Sequence, residues 1–447
     1  MRLLLPFLAV CTVSALAGPS YYRDVRPILQ KQCQGCHQPS MKSSGLDLTS
    51  FTTFKAGGSR GTPVNSADPD NSLLIKYLTG ASKPPMPLGQ PQLPKESIDL
   101  IREWIRAGAV DDSPVEPQGP KHETVYLQPP VITSLRFSPD GESLAVSGNG
   151  EILLHRADGN GLLRRLPGDS ERILSMVFSK DGSLLVAGGG TPAQFGELQF
   201  WDPKSGKLLR SARVTNDTLF GASLAPDASR AAVGCADNTV HVFDVTNGKE
   251  LYKIGVHENW VLGTVFGIDS KRLVSVGRDR AAKLIDAATG TFLENVNLLR
   301  GELTAVARHP RQDIIVAGGE ERIPYIYAMD RSKNMKIADD STLIRKLDRQ
   351  NGPIIAMDWS PDGKYIAVAG AAPEVNIYDW ESGAAVSKLT GHTAGIYAVA
   401  FSQDGSHVAT GGFDGQVRIY EVKDGKILKA FTPVPIQTPV TRAGVNP

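Results

Sequence analysis

The spacing of apolar residues changes character near residue 124. From there to about residue 434, short apolar runs alternate with turns. "ITSLRFSPDGESLAVSG" (132–148), "ILSMVFSKDGSLLVAGG" (173–189), "IIAMDWSPDGKYIAVAG" (354–370) and "IYAVAFSQDGSHVATGG" (396–412) each hold two β-rich runs joined by Ser-x-Asp-Gly. Asp-Gly between apolar runs signals a hairpin. A third run ends near an acidic residue, as in "LQFWDPKSG", "VHVFDVTNG" and "VRIYEVKDG", and a fourth such as "KLLRSARV" or "KILKAFTP" closes the unit. Units begin near 131, 172, 218, 260, 302, 353 and 395. A recurring four-stranded unit predicts an all-β propeller of seven blades, because only stacking in a ring buries the faces a lone unit leaves open. Ring closure has two solutions: the last unit uses its own outer strand (427–433), or "TVYL" (124–127) supplies it.

The earlier segment has helical periodicity. In "SYYRDVRPILQKQC", Val25, Ile28 and Leu29 fall on one face. "NSLLIKYLTG" reads as a second helix closed by Gly80, and "KESIDLIREWIRAGA" places Ile98, Ile101, Trp104, Ile105 and Gly108 together. Residues 38–68 read as a long polar, glycine-rich loop. "DDSPVEPQGPKHE", with three prolines, reads as a linker. The expected organisation is a leader (1–17), a small all-α domain (18–110), a linker (111–123), the propeller (124–435) and a tail (436–447).

The leader has Arg2, an apolar run from Leu3 to Val13 and Ala15-Leu16-Ala17 before Gly18, the features of a cleaved secretory signal. It implies a periplasmic or otherwise exported protein without a transmembrane segment after cleavage. Val10 before Cys11 fits poorly with lipoprotein processing. The net charge of +1 argues against a dedicated nucleic-acid binder.

Of four cysteines, two stand in Cys33-Gln34-Gly35-Cys36-His37. In an exported chain, C-x-x-C-H is the attachment signature of one haem c: thioethers form at Cys33 and Cys36, and His37 offers its imidazole to iron. A thioredoxin-type pair would need a βαβ setting, and a zinc site would need further ligands. Met41 and Met86 are the methionines available as sixth ligand. Met41 is too near His37 along the chain to cross readily to the other face, whereas "KPPMPLGQ" presents Met86. Cys235, in "RAAVGCAD", reads as a buried, unpaired thiol. His155, His241 and His309 look scattered.

Two resemblances sharpen these expectations. "RDVRPIL", "QCQGCHQPS", "LDLTSF", "AGGSRG", "NSLLIKYL", "PPMPLG" and "LIREWIRAGA" resemble, in order and spacing, the planctomycete-type class I cytochrome c domain. That resemblance implies haem linked at Cys33 and Cys36, His37 as proximal ligand and Met86 as distal ligand. "TPVNSADPD" departs from it in a loop. The later units resemble WD repeats. Residues His392, Thr410, Asp414 and Tyr420 match the family's hydrogen-bonded tetrad, with Tyr in place of Trp, and His257, Ser275 and Asp279 match it in part. Only Trp201-Asp202 keeps the literal dipeptide. Recurrence at unit spacing marks these His–Asp pairs as structural, and no catalytic residue stands out.

Function follows as an expectation: a single-electron carrier whose redox protein partner docks on the haem edge or the propeller. The alternatives are a redox enzyme with a catalytic or cofactor-binding propeller, or a haem-based sensor or assembly scaffold.

Overall fold

The structure is a computed structural model, and it describes residues 18–38, 41, 43–112, 124–330 and 340–437. The leader with Cys11, the linker from residue 113 and the tail from residue 438 lie outside the described residues. The chain divides into two compact units, Met1–Gly119 and Pro120–Pro447. No described helix is long and apolar enough to cross a membrane.

The first unit is helical. One π-helical turn, Tyr21–Val25, leads into α1, Arg26–Gln32. Ser20 starts the turn: its hydroxyl accepts from the Arg23 amide at 3.0 Å, and Asp24 accepts from the Ser20 amide at 2.7 Å. Phe51–Ala56 forms α2 inside the stretch expected to be loop. Its signal is a cap rather than a period. The Thr53 amide donates to the Ser50 hydroxyl at 3.1 Å, and the Ser50 amide donates to Thr53 Oγ1 at 3.3 Å. A six-residue helix with only Phe51 and Phe54 as large apolar positions is too short to show periodicity.

Leu73–Leu78 is α3 and Lys95–Arg106 is α4. Ile98, Ile101, Trp104 and Ile105 of α4 are buried, as their spacing predicts. The Trp104 ring centroid lies 5.5 Å from that of Tyr21, 5.9 Å from Phe54 and 6.3 Å from Phe51. Trp104 Nε1 donates to the Val110 carbonyl at 3.0 Å, so burying the ring leaves no polar group unpaired. Cys33 packs at the margin of this core, which also holds Leu29, Leu48, Ile75 and Leu78.

The second unit is all-β and carries the WD repeats. Its strands form six hydrogen-bonded sheets, one of seven strands and five of four. The seven-stranded sheet exists because Leu162–Phe178 runs through two repeats. Its first half pairs with Asn149–Arg156 and its second half with Leu185–Thr191. Leu135–Phe137, Leu162–Phe178, Leu219–Leu224, Val261–Phe266, Leu303–Arg308, Ile354–Trp359 and Ile396–Phe401 each touch the next, and the last touches the first. Together they line a cavity of about 300 Å³ that includes Arg136, Arg308 and Asp358.

The Ser-x-Asp-Gly turns share one hydrogen-bond pattern. Each serine hydroxyl donates to the aspartate two residues on, at 2.6 Å for Ser138–Asp140, Ser179–Asp181 and Ser360–Asp362 and 2.5 Å for Ser402–Asp404. The same hydroxyls accept from the amides of Ser143, Leu184, Tyr365 and His407 at 2.8–3.0 Å. The glycines have φ between 68° and 78°, a conformation open to glycine at little strain.

Closure of the unit uses both candidate segments in different ways. Ile427–Phe431 pairs with Val417–Glu421 as the last unit's own outer strand. The segment at 124–127 forms no strand of a sheet; Tyr126 makes an isolated parallel bridge with Ile436.

Candidate cofactor site

The cysteine pair sits where α1 runs out. The Cys33 amide donates to the Leu29 carbonyl at 2.9 Å. The next turn tightens around Cys33: its carbonyl accepts from the amides of Cys36 at 3.2 Å and His37 at 3.1 Å. Both thiol-bearing residues thus occupy one turn, and His37 leaves it directly. The returning chain pins the turn. Leu48 donates to the His37 carbonyl at 2.9 Å, Ser43 to the Cys36 carbonyl at 3.2 Å, and Gln34 Nε2 to the Leu48 carbonyl at 2.7 Å.

Cys33 is half-buried and Cys36 is exposed, and both are free thiols. Burial, aided by the neighbouring Cys36, pushes the Cys33 thiol up to about 11, so it stays protonated near neutrality. The buried Nδ1 of His37 has no hydrogen-bond partner among the described residues. A buried polar atom left unpaired is unfavourable unless something else engages the ring. Two free thiols and an imidazole this lightly tied, all on one turn, fit a covalently attached haem.

Met86 lies on a separate loop tied to α3. Its amide donates to the Tyr77 carbonyl at 3.0 Å, and the Ser82 amide to the Lys76 carbonyl at 3.0 Å. Arg60 braces the same loop from outside: it donates to the Lys83 carbonyl at 3.3 Å and lies over the Tyr77 ring at 5.3 Å. Met86 is half-buried, whereas Met41 is 57% exposed. The side chains of Ile75 and Leu78, from the helix that anchors the Met86 loop, share a core with Cys33.

In the second unit the residues matched to the tetrad come together. His392 Nδ1 lies 3.0 Å from Asp414 Oδ2, and its Nε2 lies 2.7 Å from Thr410 Oγ1. Tyr420 joins them: its hydroxyl interacts with the Thr410 hydroxyl and also donates to the Thr390 carbonyl at 2.9 Å. His257 repeats the arrangement, 2.9 Å from Asp279 and 2.7 Å from Ser275. Trp201 belongs to a different buried chain: Nε1 donates to Gln199 at 3.0 Å, Gln199 to Glu197 at 2.8 Å, and Ser170 to Glu197 at 2.8 Å.

The cavity-lining charges escaped the sequence reading. Arg136 donates to the Val399 carbonyl at 2.9 Å, and Arg308 to the His309 carbonyl at 2.7 Å. Asp358 accepts from the Phe401 amide at 2.9 Å, and burial raises its carboxyl pKa against the pull of Arg136. Each lies within an otherwise apolar strand, where the repeat pattern alone marks no function. Of the histidines that looked scattered, His155 lies 2.9 Å from the Pro433 carbonyl and His309 lies 3.1 Å from that of Gly363.

Comparison with known proteins supports both halves of the reading. The family model described as Planctomycete cytochrome C matches residues 33–87. The model for the WD domain, G-beta repeat, matches 160–191 and 383–421, and that for the Anaphase-promoting complex subunit 4 WD40 domain matches 309–400. An uncharacterized WD repeat-containing protein of Schizosaccharomyces pombe is 24% identical over 257 residues, covering 48% of this chain and 40% of its own. Autophagy-related protein 16 of Arabidopsis thaliana is 25% identical over 213 residues, covering 46% and 38%. WD repeat and SOCS box-containing protein 1 of Danio rerio is 32% identical over 118 residues, covering 26% and 27%. The chain thus spans well under half the length of the curated relatives it matches. It joins a segment similar to a cytochrome c domain to a run of WD repeats.

Proposed function

We propose that this chain is an exported single-electron carrier with one haem c, and that its second unit is a seven-bladed propeller serving as a docking platform for a redox protein partner. The observation that carries the proposal is the turn Cys33–His37, which offers two free thiols and an imidazole whose buried Nδ1 has no hydrogen-bond partner among the described residues. The match to the cytochrome family model begins at Cys33 and ends at residue 87, so it brackets the two proposed ends of the site, the cysteine turn and Met86.

Cys33 and Cys36 would hold the group covalently, and His37 and Met86 would ligate its iron. A haem held by these residues would supply one-electron redox chemistry at a raised potential. The protein's part is positional. The Leu48 and Ser43 amides fix the cysteine turn, and the Tyr77 carbonyl fixes the Met86 backbone. The core around Trp104 keeps water from the apolar side of Cys33.

The blade count rests on Leu162–Phe178, which serves as outer strand of one blade and inner strand of the next. Six hydrogen-bonded sheets then become seven blades. The docking role rests on the WD repeats, whose general use is protein association, and on a central cavity whose charged side chains are engaged with backbone groups. The same cavity is where a redox-enzyme reading would have to place a substrate.

Intact mass of the mature protein tests the proposal. One haem increment is expected, lost when Cys33 and Cys36 are both replaced by alanine. A mass without that increment, together with no haem stain on a denaturing gel, would overturn it. Met86→Ala should lower the potential and admit carbon monoxide to the iron; an unchanged spectrum would exclude Met86 as ligand.

A further inference from the structure

The third WD unit rearranges the His–Asp device. In two other units a histidine stands eighteen residues before a hydroxyl residue, His257 before Ser275 and His392 before Thr410. An aspartate follows that hydroxyl by four residues, and a cation follows the aspartate by four: Lys283 lies 3.7 Å from Asp279, and Arg418 lies 2.8 Å from Asp414. In the third unit the corresponding positions hold Thr215, Val233, Asp237 and His241. The histidine of the preceding loop is gone, the aspartate remains, and an imidazole replaces the cation.

Cys235 takes up the vacated space. The equivalent residue in the next unit is Gly277. A β-carbon there would sit 2.5 Å from the Trp260 carbonyl oxygen, 3.2 Å from His257 Nδ1 and 3.3 Å from Asp279 Oδ1, at the edge of the His–Asp pair. With threonine in place of the histidine, the third unit has room for a side chain at that position, and it holds a thiol.

The three donor residues converge. One ligand atom each from Cys235, Asp237 and His241 lies within 4.8 Å of the others. His241 pairs with Val233 across the adjacent strand, so its side chain is on the same face as that of Cys235. His241 is 2% exposed. Its Nδ1 lies 3.1 Å from Glu250 Oε2, and its Nε2 is buried with no hydrogen-bond partner among the described residues. Nδ1 is therefore oriented by a carboxylate while Nε2 is left for a ligand, the usual arrangement of a metal-binding histidine. Cys235 is fully buried and Asp237 is partly exposed, which gives an ion a way in. Glu250 and Lys253 are the other charged groups facing the cluster; Lys253 Nζ lies 3.1 Å from Asp237 Oδ2.

We propose that Cys235, Asp237 and His241 form a binding site for a divalent zinc-class cation, with the fourth position open to water. Sulfur, nitrogen and carboxylate oxygen together suit Zn²⁺ better than oxygen-seeking Mg²⁺ or Ca²⁺. Donors of a tetrahedral site stand about 3.3–3.8 Å apart, so binding needs a closure of roughly 1 Å and the withdrawal of Lys253 from one oxygen of Asp237. Metal binding displaces the proton of the Cys235 thiol to solvent, leaving the thiolate as ligand.

The test is zinc content of the full haem-bearing chain after equilibration with zinc chloride and gel filtration. About one zinc per chain is expected, falling about tenfold or more in Cys235→Ser and in His241→Gln. The doubly substituted Cys33→Ala/Cys36→Ala chain should retain it, which separates this site from the cofactor turn. Zinc X-ray absorption of the unsubstituted protein should show one sulfur and otherwise nitrogen or oxygen neighbours, and this readout needs no variant to fold. Absence of retained zinc, retention unchanged in both Cys235→Ser and His241→Gln, or a zinc shell without sulfur would each overturn the proposal.

Discussion

The amide of Gln437 donates to the carbonyl of Tyr126 at 2.9 Å, tying the two ends of the WD unit together. Around this bond, Tyr126 packs with Leu153 and Val434, and its hydroxyl donates to Glu151 at 2.8 Å. Arg165 holds the other oxygen of Glu151 at 2.7 Å. His155 lies 2.9 Å from the Pro433 carbonyl, and Lys429 Nζ donates to Asn160 at 2.7 Å. The ends of the WD unit are joined by a clasp of side chains and one bridge rather than by a shared outer strand.

Tyr126→Ala removes a buried ring and leaves Glu151 short of a donor. It should destabilise the WD unit by about 3–5 kcal/mol. Tyr126→Phe keeps the ring and should lose only about 1–2 kcal/mol. Urea unfolding followed by tryptophan fluorescence measures both. Equal losses would mean the clasp acts through the hydroxyl alone.

His392 bridges Asp414 and Thr410, and Arg418 donates to Asp414 at 2.8 Å. His392→Ala should cost about 1–3 kcal/mol through the buried partners it leaves unpaired. A double-mutant cycle with Asp414→Asn should give a coupling of about 0.5–3 kcal/mol. Purely additive effects would contradict a structural tie.

Acid should unfold the WD unit by way of its turns. The hydroxyl of Ser179 beside Asp181, and that of Ser402 beside Asp404, hold both carboxyls down to about 2. A carboxyl depressed on folding contributes stability above its unfolded value of about 4, and that stability is lost as pH falls through about 2. Between those values the melting temperature should drop steadily. Ser402→Ala should flatten the drop, and an unchanged slope in that variant would refute this assignment.

Trp104→Ala should disrupt the helical unit, because its ring touches Tyr21, Phe51 and Phe54 in one aromatic cluster. A loss of about 3–5 kcal/mol is expected. Near-ultraviolet circular dichroism of the full chain should lose part of its aromatic signal. An intact spectrum with unchanged stability would show that α4 is not the keystone of this core.

Local signals carried most of what was legible beforehand. Helix α4 was readable because four apolar residues share one face of a twelve-residue helix. The Ser-x-Asp-Gly hairpins were readable because their hydrogen bonds close within six residues. Helix α2 was missed because it is shorter than two turns and is set by a cap. The bond from the Tyr420 hydroxyl to the Thr390 carbonyl was not legible, because its acceptor lies thirty residues away.

The sequence by itself determined the kinds of module and the grouping of two thiols and an imidazole on one turn, since C-x-x-C-H and the repeat period act over one turn or one hairpin. Only the tertiary structure decided how the WD unit joins its ends, which charges line its cavity, and that Cys235, Asp237 and His241 meet. Those relations depend on strand register and on contacts between units. Neither leaves a periodic trace along the chain, because each is made by residues that the sequence places in separate runs.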